Sequence, residues 1–379
     1  MTMRDENFEQ STLAFAMPSA MPEDVEGTAE RFRQFVPVEG GDSNALSHLI
    51  ELWAAVPKYC MERQQQMRLR SDSGNLESVT RSFEHRGQRY TMLMHPARIE
   101  DPESGRFVEY FPTPADEVIE HLLIKLFTRA DAAHVQRVRN ELACLVRFRF
   151  RDLWTLMKEA GCERNYAQLR HSLQVLSQMR LTIKSERGDS HSEAILASLS
   201  EPADADGYFV ARFHTVIAGA IAVNEYRQFP LDVWLTLRSS PARWLLTQMC
   251  QKRDLGIDRP LETTVSAAET AGVTQAARFG DRLKAMHRAV DELREHGLVG
   301  AEESACTVRD IRDENRRRVD CVFRLTPTRR LISHAVAANV QAKNRRNGAL
   351  PASSANAVNP AFHPESRAQR RGGRGRRTG

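Results

Sequence analysis

The chain has little of what marks most enzymes and metal proteins on first reading. Its 379 residues hold six cysteines, Cys60, Cys144, Cys162, Cys250, Cys306 and Cys321, with no CxxC pair and no Cys/His cluster at zinc-ligand spacing. They read as reduced, mostly buried thiols of a cytoplasmic protein, a Cys306–Cys321 bridge being the minority reading. There is no GxxxxGK[ST] loop to cradle a nucleotide phosphate. No two histidines flank one apolar residue, as a rolling-circle nickase needs, and His121 and His134 are too far apart for an i, i+4 metal pair. Adjacent acids such as Asp291-Glu292 and Glu302-Glu303 diverge on a helix and do not pinch a metal unaided. No run of about 18 apolar residues is present, so no membrane span is expected. The start carries Asp5, Glu6 and Glu9 where a signal peptide needs a basic and then an apolar region. No catalysis, metal or cofactor is expected.

What is there is charge, unevenly placed. The formal net charge is +5, but residues 1–30 carry Asp5, Glu6, Glu9, Glu23, Asp24, Glu26 and Glu30 against Arg4. Residues 341–379 carry Lys343, Arg345, Arg346, Arg367, Arg370, Arg371, Arg374, Arg376 and Arg377 against Glu365. A basic tail of that kind suits a polyanion and is a poor core, so both ends are expected to be disordered. The RGG-like run Arg370 to Arg377 fits non-specific affinity for DNA or RNA.

Between the ends, hydrophobic period and turn residues predict a helix from Asn44 to about Arg63 and a polar linker to Arg89. A hairpin of Tyr90–Met94 with Arg106–Phe111 is expected around Asp101-Pro102-Glu103-Ser104-Gly105. Thr113-Pro114-Ala115-Asp116 starts a helix with a cap, a first-turn proline and an acid at the positive end. Two units of one element order follow. The first has a strand at Leu145–Phe150, a helix from Asp152 to Ala160 stopped by Gly161, a longer helix over Asn165–Met179, and strands at Leu181–Lys184, Ser192–Leu199 and Tyr208–Phe213. The second has a helix opened by Ser240-Pro241, a strand at Leu261–Val265, a short helix over Ala267–Ala271 stopped by Gly272, a longer one over Arg278–His296 stopped by Gly297, and strands at Ser304–Asp310 and Val319–Leu325. The expected organisation is α+β, two tandem winged-helix domains at 90–233 and 234–330. A disordered start (1–43), a helix and linker (44–89) and a basic tail (331–379) complete it.

A helix that enters the DNA major groove needs one apolar side and one side that carries cations or hydrogen-bonding groups. In the first long helix Leu169, Leu173 and Leu176 form the apolar stripe, which puts Arg164, Arg170, His171, Gln174 and Gln178 on or near the opposite face. In the second, Phe279, Leu283, Met286, Val290 and Leu293 are inward, with Arg278, Arg282, Lys284 and Arg288 towards its start and Asp291, Glu292 and Glu295 towards its end. This order runs against the helix dipole, which favours cations at the C-terminus, and so marks the cations as placed for a phosphate or guanine. Arg316, Arg317 and Arg318 stand where a wing tip would meet backbone or a narrow minor groove.

The run VRFRFRDLWTLMKEAGCERNYAQLRHSLQVLSQMRLTI (Val146–Ile183), with RSSPARWLLTQM (Arg238–Met249) and RLKAMHRAVDELREHGLV (Arg282–Val299), resembles plasmid replication initiators of the iteron-binding, tandem winged-helix type, over about 90–330. The resemblance implies a non-enzymatic, cytoplasmic protein that binds direct repeats in double-stranded DNA at a plasmid origin. It also implies opening of the adjacent A/T-rich DNA, recruitment of a replicative helicase or its loader, and self-association as a dimer. In that family the second unit dominates repeat binding, while the first mixes phosphate contacts with dimer formation. By position, Arg278, Lys284 and Arg288 would read bases, Arg316 to Arg318 would hold backbone, and Arg170, His171 and Gln174 would supply the first unit's contacts. A transcriptional repressor of the same fold is the alternative, because a winged helix specifies groove binding and not its consequence.

Overall fold

The computed structural model describes residue 35 and residues 46–346, apart from 102–103, 130, 139–140, 163 and 203–206. The acidic start and the RGG-like run, both expected to be disordered, lie outside the described residues. Where one long helix was expected, β1 (Ser47–Ile50) turns directly into the short α1 (Glu51–Ala55). Val56 is extended at φ −68°, ψ 123°, as the residue before a proline tends to be, so Pro57 ends the helix. The expected linker is also structured, into α2 (Arg63–Leu69), β2 (Val79–His85) and the start of β3 (Gln88–His95). Arg86 and Gly87 join the strands with φ of 52° and 73°, a two-residue turn with both residues left-handed. Arginine gives no sequence signal for that conformation, which hid the hairpin.

The expected pairing of Tyr90–Met94 with Arg106–Phe111 is therefore replaced. β3 pairs with β2, and β4 (Ala97–Glu100) pairs with β5 (Phe107–Tyr110). α3 (Pro114–Phe127) begins as foreseen, with Thr113 and Asp116 in a capping box and Pro114 in the first turn. Next come the hairpin β6 (Ala133–Val138) and β7 (Glu141–Arg149), then α4 (Phe150–Glu159) and α5 (Tyr166–Gln178). β8 (Arg180–Ser185) and β9 (Ser190–Glu193) extend the β2–β3 sheet in the order β2-β3-β8-β9. β10 (Leu196–Ser200) and β11 (Tyr208–Phe213) complete a second sheet, β10-β11-β7-β6. The single strand expected at Ser192–Leu199 is thus two, each in its own sheet. α6 (Thr215–Ala222), β12 (Tyr226–Phe229) and α7 (Leu231–Thr236) follow, β12 pairing with β1.

The C-terminal half holds α8 (Ser240–Gln251), β13 (Leu261–Thr264), α9 (Val265–Thr270), α10 (Phe279–Glu295), β14 (Cys306–Arg312) and β15 (Arg318–Leu325). Its sheet runs β13-β15-β14. With the inserted β8–β9 pair set aside, the first half repeats this: β7, β11 and β10 take the places of β13, β15 and β14. In both, the last strand made lies in the middle. Beyond it α11 (Arg329–Arg346) occupies part of the expected disordered tail. Leu331, Ala335, Ala338 and Ala342 are buried along one side, a small-residue stripe too weak in hydrophobicity to be read as packing. One continuous apolar core runs from Phe35 and the N-terminal segment through both halves to Ala335.

Candidate nucleic-acid interface

The second half presents its cations on a helix that is otherwise firmly seated. Met286, Ala289, Val290 and Leu293 of α10 are buried, and the His287 ring meets Phe323 edge-on at 5.2 Å. Arg278, Lys284 and Arg288 are exposed. Lys284 has only a loose pair with Asp281 at 3.7 Å, its side chain 73% exposed. Arg282 departs from the expectation: its guanidinium donates to Glu269 Oε1 at 2.5 Å and to the Ala276 carbonyl at 3.4 Å. It ties α10 to α9 and does not face out.

One of the acids at the end of α10 has a structural role that accounts for part of the reversed charge gradient. Glu292 does not point away as expected. Its carboxylate accepts from the backbone N–H of Arg238 and Ser239 and from the Ser239 hydroxyl at 2.6 Å, closing the start of α8, while Asp291 pairs with Arg294 at 3.3 Å. Glu292 thus serves the fold, while Arg278 and Arg288 stand exposed without an ion pair among the described residues. Thr236, Arg238, Arg288, Asp291, Glu292, Glu295 and His296 line a cleft over the second half of the helix, with Arg288 at the boundary of the two charge zones.

The β14–β15 tip is a built turn. Asp313 accepts from the Arg317 N–H at 2.8 Å, Arg312 donates to the Arg316 carbonyl at 3.0 Å, and Arg316 sits at φ 59°, uncommon for a residue with a Cβ. Arg316 and Arg317 are exposed and make no ion pair among the described residues, whereas Arg318 pairs with Asp310 at 2.8 Å. Arg312 was missed in the sequence, though its place at the mouth of the turn was the available signal. Cys306 stands opposite Leu325 and Cys321 opposite Asp310, so no disulfide crosses this hairpin; all six thiols are free.

The first half treats its expected reading residues differently. Arg164 is turned inward, donating to Asp116 Oδ1 at 3.0 Å and to the Ser172 hydroxyl. His171 packs edge-on against Tyr110 of β5 at 4.5 Å, and burial lowers its pKa. Arg170 is exposed but paired with Glu201. Gln174 is half-buried, and only Gln178 of the set is exposed without an ion pair. The β4–β5 hairpin lies over the face of α5 that was expected to be open. Exposed arginines stand instead on β7: Arg147 and Arg149 stack on Tyr208 at 3.8 and 4.9 Å. Alternation in VRFRFR, with Val146, Phe148 and Phe150 buried, was the signal for them.

Among the described residues no group of three His, Cys, Asp or Glu is placed to hold a metal, and no helix is long and apolar enough to cross a membrane. His121 is core, 4.4 Å from the Trp234 ring, its pKa pushed down to about 3 by burial.

No protein-family model matches the chain, and no curated protein matches it in sequence. Among solved structures it is similar to RctB domains 2–3, at 13% identity over 74% of this chain and 98% of that one, with a TM-score of 0.37. A second structure of RctB domains 2 and 3 gives 10% identity, 72% and 96% coverage, and 0.39. The Pi initiator protein in complex with iteron DNA gives 14% identity over 57% of this chain and 91% of that one, with a TM-score of 0.39.

Proposed function

We propose that this protein is a replication initiator that binds repeated sites in duplex DNA, its C-terminal half being a winged helix that reads them and its N-terminal half a second winged helix of supporting role. The observation that carries this is the second half itself. Its helix–strand–helix–helix–hairpin order includes a long helix with Arg278, Lys284 and Arg288 exposed and with Glu292 occupied as a cap on α8. An arginine-tipped hairpin, Arg316 to Arg318, completes the pattern. A helix of that kind suits the major groove and such a tip suits phosphates. The ligand class is direct repeats like the iterons named for the Pi initiator; the sequence resemblance, not the distant structural likeness, supports that choice. Opening of A/T-rich DNA, recruitment of a helicase or its loader, and dimer formation belong to the same proposal.

The test is replication from the DNA that flanks the gene. A plasmid carrying the gene and that DNA is expected to replicate in a suitable host, with protected sites spaced by about 20 to 22 bp for two helical turns. Repression of a promoter without support of any origin would overturn the initiator role in favour of a repressor.

A further inference from the structure

Glu51, at the start of α1, is a buried carboxylate on which distant parts of the chain converge. It is 4% exposed. Its Oε1 accepts from Arg227 Nε of β12 at 2.7 Å, and its Oε2 accepts from Arg86 of the β2–β3 turn. Arg253, just past α8 in the second half, lies 3.5 Å from the same oxygen. The Glu51 carbonyl accepts from Gln251 at 3.0 Å. Arg227 goes on to the Cys250 carbonyl at 3.4 Å and to Asn339 of α11 at 2.9 Å, and Asn339 donates to the Arg253 carbonyl at 2.7 Å. Arg86 also reaches Glu225 at 2.6 Å. Further along the same N-terminal segment, the Cβ of Cys60 would meet a Cβ placed on Gly272 at 2.1 Å, so the segment also rests directly on the turn ahead of α10.

We propose that Glu51 is the positioning residue that fixes the second half against the first, and through it the distance between the two DNA segments that the protein engages at once; the second part rests on the DNA-binding reading above. A carboxylate buried this deeply is stable only while its cations hold their places. Arg86 and Arg227 hold the carboxylate from its own side, while Arg253, Gln251, the Cys250 carbonyl and Asn339 tie the Glu51–Arg227 pair to the second half, so a rotation of one half on the other takes Arg253 from the carboxylate and breaks the bonds from Gln251 and Arg227. The N-terminal segment that carries Glu51 was expected to be a helix and linker; it is the mortar of the molecule.

The test uses the full chain with spin labels on introduced non-natural side chains at Thr155 and Glu303, exposed on the first and second halves. The wild type is expected to give one narrow distance. Glu51→Gln should broaden or shift it, and Glu51→Asp should restore most of the narrow population. Arg253→Gln, whose side chain is half exposed, is the second variant should Glu51→Gln fail to fold, and is expected to broaden the distance less. A wild-type distribution in the folded variant overturns the proposal. In a second arm, duplexes selected by the wild type from a randomised pool are lengthened between the two protected segments. The wild type should lose about 10²-fold in affinity and Glu51→Gln under about threefold; equal losses overturn the spacing role. A wild type that selects no duplex defeats the DNA-binding reading, and the label distances still decide the clamp.

Discussion

The two halves share an order of elements and a strand order, yet they have spent their long helices differently. α10 is seated against α8 and α9, with His287 on Phe323 of its sheet, and leaves Arg278, Lys284 and Arg288 outside. α5 is held between its sheet and the β4–β5 hairpin, so His171 becomes an internal contact, while Asp116 of α3 turns Arg164 inward. The lesson is that element order fixes where a helix lies in a module, while the additions around it decide whether its outer face stays open. Here the additions are chiefly on the first half: β2 to β5 before it and β8–β9 within it. The second half carries α11 and, at the Gly272 turn, the Cys60 segment, and both leave the outer face of α10 open.

The glycines that close the short helix of each half sharpen this most. Gly161 and Gly272 both sit at positive φ, 71° and 75°. A Cβ on Gly161 meets nothing within 4 Å, whereas one on Gly272 meets the Cys60 Cβ at 2.1 Å and its Cα at 2.8 Å. Gly161→Ala is expected to cost only the conformational term, about 1–2 kcal/mol. Gly272→Ala should cost more than about 3 kcal/mol, because backbone must also move. Denaturant unfolding of both variants measures the difference, and equal losses would mean that the N-terminal segment does not bear on the second half.

Acid separates the junction from either half. Burial raises the Glu51 pKa, but Arg227 and Arg86 outweigh it and bring the value from 4.5 to about 2. A depressed carboxylate stabilises the fold above its unfolded value, and that stability is lost as pH falls from about 4.5 towards 2. At about 1.4 kcal/mol per unit the shift corresponds to roughly 3 kcal/mol. Unfolding followed between pH 5 and 2.5 should show a steep loss in the wild type and a shallower one in Glu51→Gln; parallel curves would remove Glu51 from the account. Next in size is Arg164→Ala, which leaves Asp116, its side chain 6% exposed, without its cation. A loss of about 2–3 kcal/mol in stability is expected, with DNA site choice unchanged. Intact stability with weakened DNA binding would return Arg164 to the interface.

Much of this was legible where local chemistry decides. The Thr113 cap, the apolar stripes of α5 and α10, and the glycine stops follow from single residues and their spacing, and so does the helix–strand–helix–helix–hairpin order. What was not legible depends on partners remote in sequence. Ser47–Ile50 is a strand because Tyr226–Phe229 lies beside it. Glu292 is a cap because Ser239 folds back onto it, and Arg164 is internal because Asp116 waits there. The Arg86-Gly87 turn was hidden by a residue type that rarely takes left-handed backbone, and α11 by an Ala stripe with little hydrophobic contrast. For the candidate site, residue type singled out α5 and α10, but only tertiary contacts separate the exposed Arg278, Lys284 and Arg288 from Arg282, which is tied to Glu269.

That separation is the finest prediction of the comparison. Arg288→Ala on α10 should weaken binding to a specific repeat by about 1–3 kcal/mol and bind random duplex nearly as before, the signature of a base contact. Its counterpart Arg170→Ala on α5 removes an exposed pair with Glu201 and should cost under about 1 kcal/mol in stability. If Arg170 touches DNA at all it does so through phosphate, so any lost affinity should be equal on specific and random duplex, with a smaller salt slope. Titrations of both variants against both duplexes at two salt concentrations decide it. A specificity loss at Arg170 as large as that at Arg288 would show that the β4–β5 hairpin leaves the first helix open, and that the two halves read DNA alike.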